Sequence, residues 1–216
     1  MNETGFSLTL GPLVLQESLL LSVLISTLLA LLGWLAARKG PESLLHTAAE
    51  AMLQTLENAV AEVVPASTVR MVFPFVASLW LFVLCANLIG LVPGLSSPTR
   101  DLSITSALAV IVFAAVHVYG VRSAGWKGYL KHYLQPSPIL LPFHLISELT
   151  RTLALAIRLF GNMMSLEMAA LLVLLVAGFL VPVPLLVLHV VEALVQAYIF
   201  GMLALIYIAT ALGEGE

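Results

Sequence analysis

The sequence predicts an all-α polytopic membrane protein of about five membrane-embedded helices plus one amphipathic surface helix, the last two helices long, steeply tilted and paired as a hairpin. Three observations predict it. The chain is 61% hydrophobic and only 10% charged, with a mean hydropathy of +1.07, far from the composition of a soluble domain. Several stretches reach the roughly 20 apolar residues that a span requires. These stretches are continuously apolar rather than alternating, which selects helices over a barrel.

Residues 13–37 form the first predicted span, closed by Arg38, Lys39 and the Gly40-Pro41 breaker. No basic residue precedes it, and its apolar run is too long for a secretory signal, so it reads as a retained span. Residues 42–64 place Leu45, Ala49, Met52, Leu56, Ala59 and Val63 at spacings of three and four, with Glu50, Gln54, Glu57 and Glu62 elsewhere. That is the pattern of an amphipathic helix lying along a surface or a partner. Residues 69–93 make a second span, expected to break near Pro74, and 102–121 a third. The basic residues after the first and third spans share a side, which sets the amino terminus outside and the basic loops, with the carboxyl terminus, in the cytoplasm.

From about 138 to 179 the chain stays apolar for some 40 residues, a helix of about 60 Å against a hydrocarbon thickness of about 30 Å. Such a helix must tilt. A turn at Val181–Pro184 leads into a second long helix, 185–211. With no internal repeat, one membrane domain over 1–216 is the economical reading: first transmembrane helix 1–40, surface helix 41–65, transmembrane hairpin and cytoplasmic loop 66–137, long tilted hairpin 138–216. The net charge of −3 without basic clusters argues against nucleic acid as a partner. The single Cys85 reads as packing.

A charge at the bilayer centre costs about 2.5–3.5 kcal/mol on insertion scales, so each one requires a reason. The last hairpin carries Glu148, Arg151, Arg158, Asn162, Glu167, His189, Glu192 and Gln196. At about 100° per residue, Arg151, Arg158 and Ser165 share a face, Asn162 lies about 40° from Arg158, and Glu167 falls nearly opposite. On the last helix His189, Glu192 and Gln196 form one stripe, with Tyr207 close to its line. Titratable groups in a row beside amides and one permanent cation suit an ion route. Arginine fits the last role because it stays charged, and histidine exchanges protons near neutrality. Purely structural readings also exist. Arg158 could pair with Glu148 or a carbonyl, and Glu167, His189 and Glu192 with one another. Gln196 could make an interhelical hydrogen bond worth about 0.6 kcal/mol. His117 and Asn87 read as interhelical contacts, and Asp101 as a partner of Arg100.

"LALAIRLFGNMMSLE" followed by "HVVEALVQAYIFGMLALIYI", with "NLIGLVPG" and the aspartate of the next loop, closely resembles subunit a of the rotary F-type ATP synthase. The resemblance covers most of residues 70–211; the first 65 match in layout more than in motif. It implies a non-catalytic stator subunit with two offset half-channels carrying H⁺ or Na⁺ to and from the carboxylates of a rotating c-ring. On that basis Arg158 is the essential cation facing the ring carboxylate. Asn162, Glu167, His189 and Gln196 line the outer half-channel, and Glu148 and Arg151 belong to the cytoplasmic side. Glu192 either adds a second outer carboxylate or shares a cation with Glu167. Thr152 stands where the family often has proline. The implied partners are the c-ring, the peripheral-stalk b subunits and membrane lipid, with no metal or cofactor. The amino terminus is not transit-like, which favours a bacterial plasma membrane.

Two other function classes lack their sequence signals. An intramembrane hydrolase lacks both a G-x-S-x-G elbow and an H-E-x-x-H zinc motif. A free-standing channel or transporter lacks an inverted repeat or paired broken helices, and a permanent cation obstructs a simple cation pore.

Overall fold

Long apolar runs have no water to satisfy their backbone, so each closes its own hydrogen bonds as a helix. A computed structural model describes residues 8–10, 13–38, 43–92, 94–134, 141–177 and 183–213. Six α-helices appear among them: α1 (Glu17–Arg38), α2 (Leu44–Ala61), α3 (Ala66–Leu88), α4 (Leu102–Leu134), α5 (Leu141–Ala177) and α6 (Val183–Ala211). All but α2 include a stretch long and apolar enough to cross a membrane, which bears out the predicted fold class. Lys39 to Pro41, and the first two residues of the predicted turn at 181–184, lie outside the described residues; the last two already belong to α6. A short antiparallel hairpin, β1 (Leu8–Leu10) with β2 (Leu13–Leu15), precedes α1. The first helix therefore starts four residues later than the expected span.

Local chemistry accounts for the other boundaries. Glu17 in the first turn of α1 and Arg38 in its last match the helix dipole. The expected break at Pro74 does not occur, because α3 runs from Ala66 to Leu88 through the proline. Pro74 removes only one ladder hydrogen bond, a loss tolerated in membrane helices. The helix begun by the third span also runs past 121, to Leu134, with a sharp break at Gly125, whose φ of 72° suits a residue without a Cβ. Beyond that break Tyr129 folds back onto Gly120, where a Cβ would collide with its ring.

The amphipathic reading of α2 holds at its carboxyl-terminal end. Leu56, Ala59 and Val63 pack against the core, but the fully buried residue is Val60, and Met52 is exposed. The buried stripe is thus centred one residue away from the expected one.

Helices α3 and α6 form the middle of the molecule. One core cluster joins Val72, Val76 and Trp80 of α3 to Leu205 and Ile208 of α6. A second joins Leu79 and Val83 to Leu155, Leu159 and Met163 of α5 and Phe200 of α6. Lipid is as apolar as these side chains, so close packing and polar contacts hold such helices together. Gly201 permits the closest approach: a Cβ there would overlap the Trp80 indole. The Trp80 Nε1–H donates to the Tyr198 carbonyl at 3.1 Å, and the two rings stack in parallel.

The loop between α3 and α4 folds over the end of the bundle through 3-10 turns at Ile89–Leu91 and Pro98–Arg100. Asp101 ties it down, accepting from Ser18 Oγ of α1 at 2.6 Å and capping α4 through the Ser103 amide at 2.8 Å. Partial burial would raise the Asp101 carboxyl, but these hydrogen bonds and the Arg100 charge outweigh it and hold the group below the usual carboxylate range.

A bulkier residue at Gly201 is expected to wedge α6 from α3. Gly201→Val should cost about 1–3 kcal/mol by overpacking, read as a lower thermal midpoint of the detergent-solubilised protein together with altered Trp80 fluorescence. Gly201→Ala should give a smaller shift of the same sign.

Candidate functional site

The polar residues of α5 and α6 sort into two groups at opposite ends of α5, with Arg158 between them. Glu148 and Glu167 are nineteen residues apart in the sequence, roughly 28 Å at 1.5 Å per residue, and Arg158 lies near the midpoint.

At one end Glu167 is buried against the α3–α4 loop. Its Oε1 accepts the Ser97 amide at 2.9 Å, and Arg100 Nη1 lies 3.1 Å from its Oε2. Gly90 leaves room for this carboxylate, since a Cβ there would meet Oε1. Beside it runs a buried hydrogen-bond chain. Ser97 Oγ donates to the Ala86 carbonyl at 2.7 Å and lies 2.6 Å from Thr99 Oγ1, which donates to Asn87 Oδ1 at 2.7 Å. Asn87 in turn joins α6: its Nδ2 donates to the Ala193 carbonyl at 3.4 Å, and its own carbonyl accepts from His189 Nε2 at 3.1 Å. A carbonyl can only accept, so His189 carries its proton on Nε2. His189 also lies close enough to Glu167 for their charges to interact.

Two expectations change here. Arg100 was expected to pair with Asp101, but it pairs with Glu167, because the 3-10 turn at Pro98–Arg100 carries the guanidinium inward over the end of α5. Glu167, His189 and Glu192 also do not form a triad. Glu192 is half-buried, and no hydrogen bond or ion pair links it to a neighbour among the described residues. Ser97, Thr99 and Asn87 carry much of this network. A serine and threonine just before the aspartate of a loop flanked by spans were the available signal for the first two.

In the middle, Asn162 Nδ2 donates to Gln196 Oε1 at 2.8 Å and bridges α5 to α6. Gln196 is 1% exposed, yet its Nε2 has no hydrogen-bond partner among the described residues, an unmet donor at the hairpin interface. One turn away, Arg158 points outward on an exposed face flanked by exposed Leu153 and Ile157. It has no carboxylate partner among the described residues, so the structural reading that paired it with Glu148 does not hold.

At the other end Glu148 Oε2 lies 3.7 Å from His117 Nε2 of α4, and the Arg151 guanidinium sits 5.7 Å from the Tyr207 ring centroid. Glu148, Arg151, His144, Ser147 and Tyr207 line a cavity of about 210 Å³ between α4, α5 and α6. Thr152 also lines it and bonds to the Glu148 carbonyl at 3.0 Å. No group of three metal-ligating side chains occurs among the described residues.

Comparisons with known proteins identify the family. A sequence model of the family described as ATP synthase A chain matches residues 19–209. The chain is 52% identical over 225 aligned positions to ATP synthase subunit a of Legionella pneumophila (strain Paris), covering 100% of this chain and 96% of that protein. It is 58% identical over 216 positions to ATP synthase subunit a 1 of Hahella chejuensis, covering 98% and 91%. It is also 58% identical over 212 positions to ATP synthase subunit a 2 of Pelobacter propionicus, covering 96% and 91%.

The contacts of Glu167 lead to a local test. Glu167→Ala removes the acceptor of the Ser97 amide and the partner of Arg100, so exchange of that amide with solvent deuterium should accelerate at least about tenfold, equivalent to about 1.4 kcal/mol. Glu167→Gln retains an acceptor oxygen and should accelerate it less.

Proposed function

Because this chain belongs to the ATP synthase subunit a family, a multi-pass membrane subunit of the ATP synthase complex, we propose that it is the ion-translocating stator subunit. In this reading it forms one membrane domain with two offset half-channels, for H⁺ or Na⁺, beside a rotating c-ring, and is anchored by peripheral-stalk b subunits in a bacterial plasma membrane. It takes no part in bond-making chemistry.

One observation carries the reading. Arg158 stands on an exposed apolar face without a carboxylate partner among the described residues, midway between two polar clusters at the ends of the same helix. A charge in that setting is costly unless something outside the chain compensates it. A carboxylate on a neighbouring rotor supplies that compensation each time it passes.

The physics then gives the cycle. An ion entering at the Glu167 end passes His189, Glu192, Gln196 and Asn162 and neutralises a ring carboxylate, which can then travel through lipid. Arriving from the other side, a loaded carboxylate meets the field of Arg158, which favours its ionised form, and releases its ion toward Arg151 and Glu148. Arg158 keeps its own proton because a guanidinium stays charged in proteins. It also repels any ion attempting the direct path. Since one charge crossing 100 mV is worth about 2.3 kcal/mol, a leak past Arg158 would dissipate the gradient, and the cation enforces passage around the ring.

With Arg158→Ala in the reconstituted complex, ATP-driven ion pumping and gradient-driven ATP synthesis are both expected to vanish while ATP hydrolysis by the soluble sector persists; intact coupling would overturn the proposal. His189→Ala and Glu192→Gln are expected to slow ion flux several-fold while synthesis and transport stay in proportion. An unchanged flux and pH profile would remove those residues from the outer route.

A further inference from the structure

His117 is an interhelical contact by position, but its hydrogen bonding gives it a second property. Its Nδ1 lies 2.8 Å from the Phe113 carbonyl of its own helix, and a carbonyl only accepts, so Nδ1 carries a hydrogen. The other nitrogen, Nε2, faces Glu148 Oε2 at 3.7 Å. With no further proton, an imidazole lone pair would oppose a carboxylate, and both are partly withdrawn from water, with side-chain exposures of 33% and 17%. One proton removes the conflict, giving either imidazolium with carboxylate or imidazole with carboxylic acid.

The pair also has access to a space through which an ion could pass. Glu148 lines the cavity between α4, α5 and α6, together with Arg151, His144 and Tyr207. It lies ten residues before Arg158, about 15 Å along the helix. Among the described residues, titratable or charged groups near the pair include Tyr129 beyond the Gly125 break, its ring 6.0 Å edge-on to His117, and, around the cavity that Glu148 lines, His144 and Arg151 on α5 and Tyr207 on α6. Arg151 rests over Tyr207 without an ion-pair partner among the described residues.

We propose that His117 and Glu148, the latter on the wall of the inner cavity, form a proton-holding pair that makes ion passage through the cytoplasmic end of the route depend on the pH of that side. The proposal rests on the two-route reading of α5 and α6. One proton moves between His117 Nε2 and Glu148 Oε2 and exchanges with cytoplasmic water. When bound, it leaves the pair with no net charge; when lost, it leaves one negative charge beside Arg151. His117 acts through Glu148 and is a positioning residue rather than a group the ring touches.

The test uses the complete ATP synthase in inverted vesicles, with lumen pH clamped and external pH, which then bathes the cytoplasmic face, varied across the histidine range of about 5 to 8. ATP-driven ion uptake is measured for His117→Gln, Glu148→Gln and the double variant, each divided by wild type at the same pH and by the amount of assembled complex. The ratio for each single variant should change at least about threefold across the range, and the double variant should add nothing further. A ratio independent of external pH, or strictly multiplicative effects in the double variant, overturns the proposal. If His117→Gln does not assemble, Glu148→Gln alone decides on the same criterion. Arg158→Ala in the same vesicles separates the two levels: if it still pumps, the stator reading fails whatever the His117 profile.

Discussion

A guanidinium on an apolar helix face is the constraint on which the rest of this structure depends. Arg158 cannot shed its charge, and the described residues offer it no carboxylate. Other polar groups of the hairpin are held elsewhere: Glu167 by Arg100 and the Ser97 amide, Glu148 by His117, and Asn162 by Gln196. Those contacts leave the central cation uncompensated among the described residues. They also keep carboxylates at both ends of α5 away from it, as the proposed separation of two ion routes requires.

Holding that arrangement without water depends on close backbone approach. Trp80 seated over Gly201 sets α6 against α3. The same helix pair then brings the Asn87 carbonyl to His189. Buried polar groups are expensive unless bonded, so the chain of contacts from Ala86 through Ser97 and Thr99 to Asn87 stabilises the loop and presents a polar wall to His189. Packing and proposed conduction use the same residues at this end. At the other end the fold-back at Gly125, which lays Tyr129 on Gly120, brings an aromatic ring to His117 and closes one side of the inner pair.

Much of this was legible along the chain. Continuous apolar runs gave the five long helices, and helical spacing separated Arg158, exposed in the structure, from Glu167, buried in it. The errors share a physical origin. Pro74 was read as a break, but losing one hydrogen bond does not end a packed membrane helix. Arg100 and its neighbour Asp101 look paired in a sequence as adjacent opposite charges, whereas loop geometry brings the guanidinium to Glu167. The stripe on α2 was misplaced by one residue because its apolar positions form a broad face, and only the docking of Val60 against α3 selects the centre.

The sequence by itself determined the all-helical membrane architecture, the position of Arg158 and the stripe of His189, Glu192 and Gln196, since periodicity and the cost of charge in lipid are properties of single helices. Its motifs also carried the family. The tertiary structure alone decided which groups meet: Arg100 with Glu167, His117 with Glu148, and Asn87 as the link between the outer loop and α6. Such pairings join residues from 31 to 102 positions apart, and no one-dimensional pattern encodes which side chains meet when separate helices pack. Arg158 is defined by both levels, a cation that helical spacing places and that the packing of the described residues leaves without a carboxylate partner.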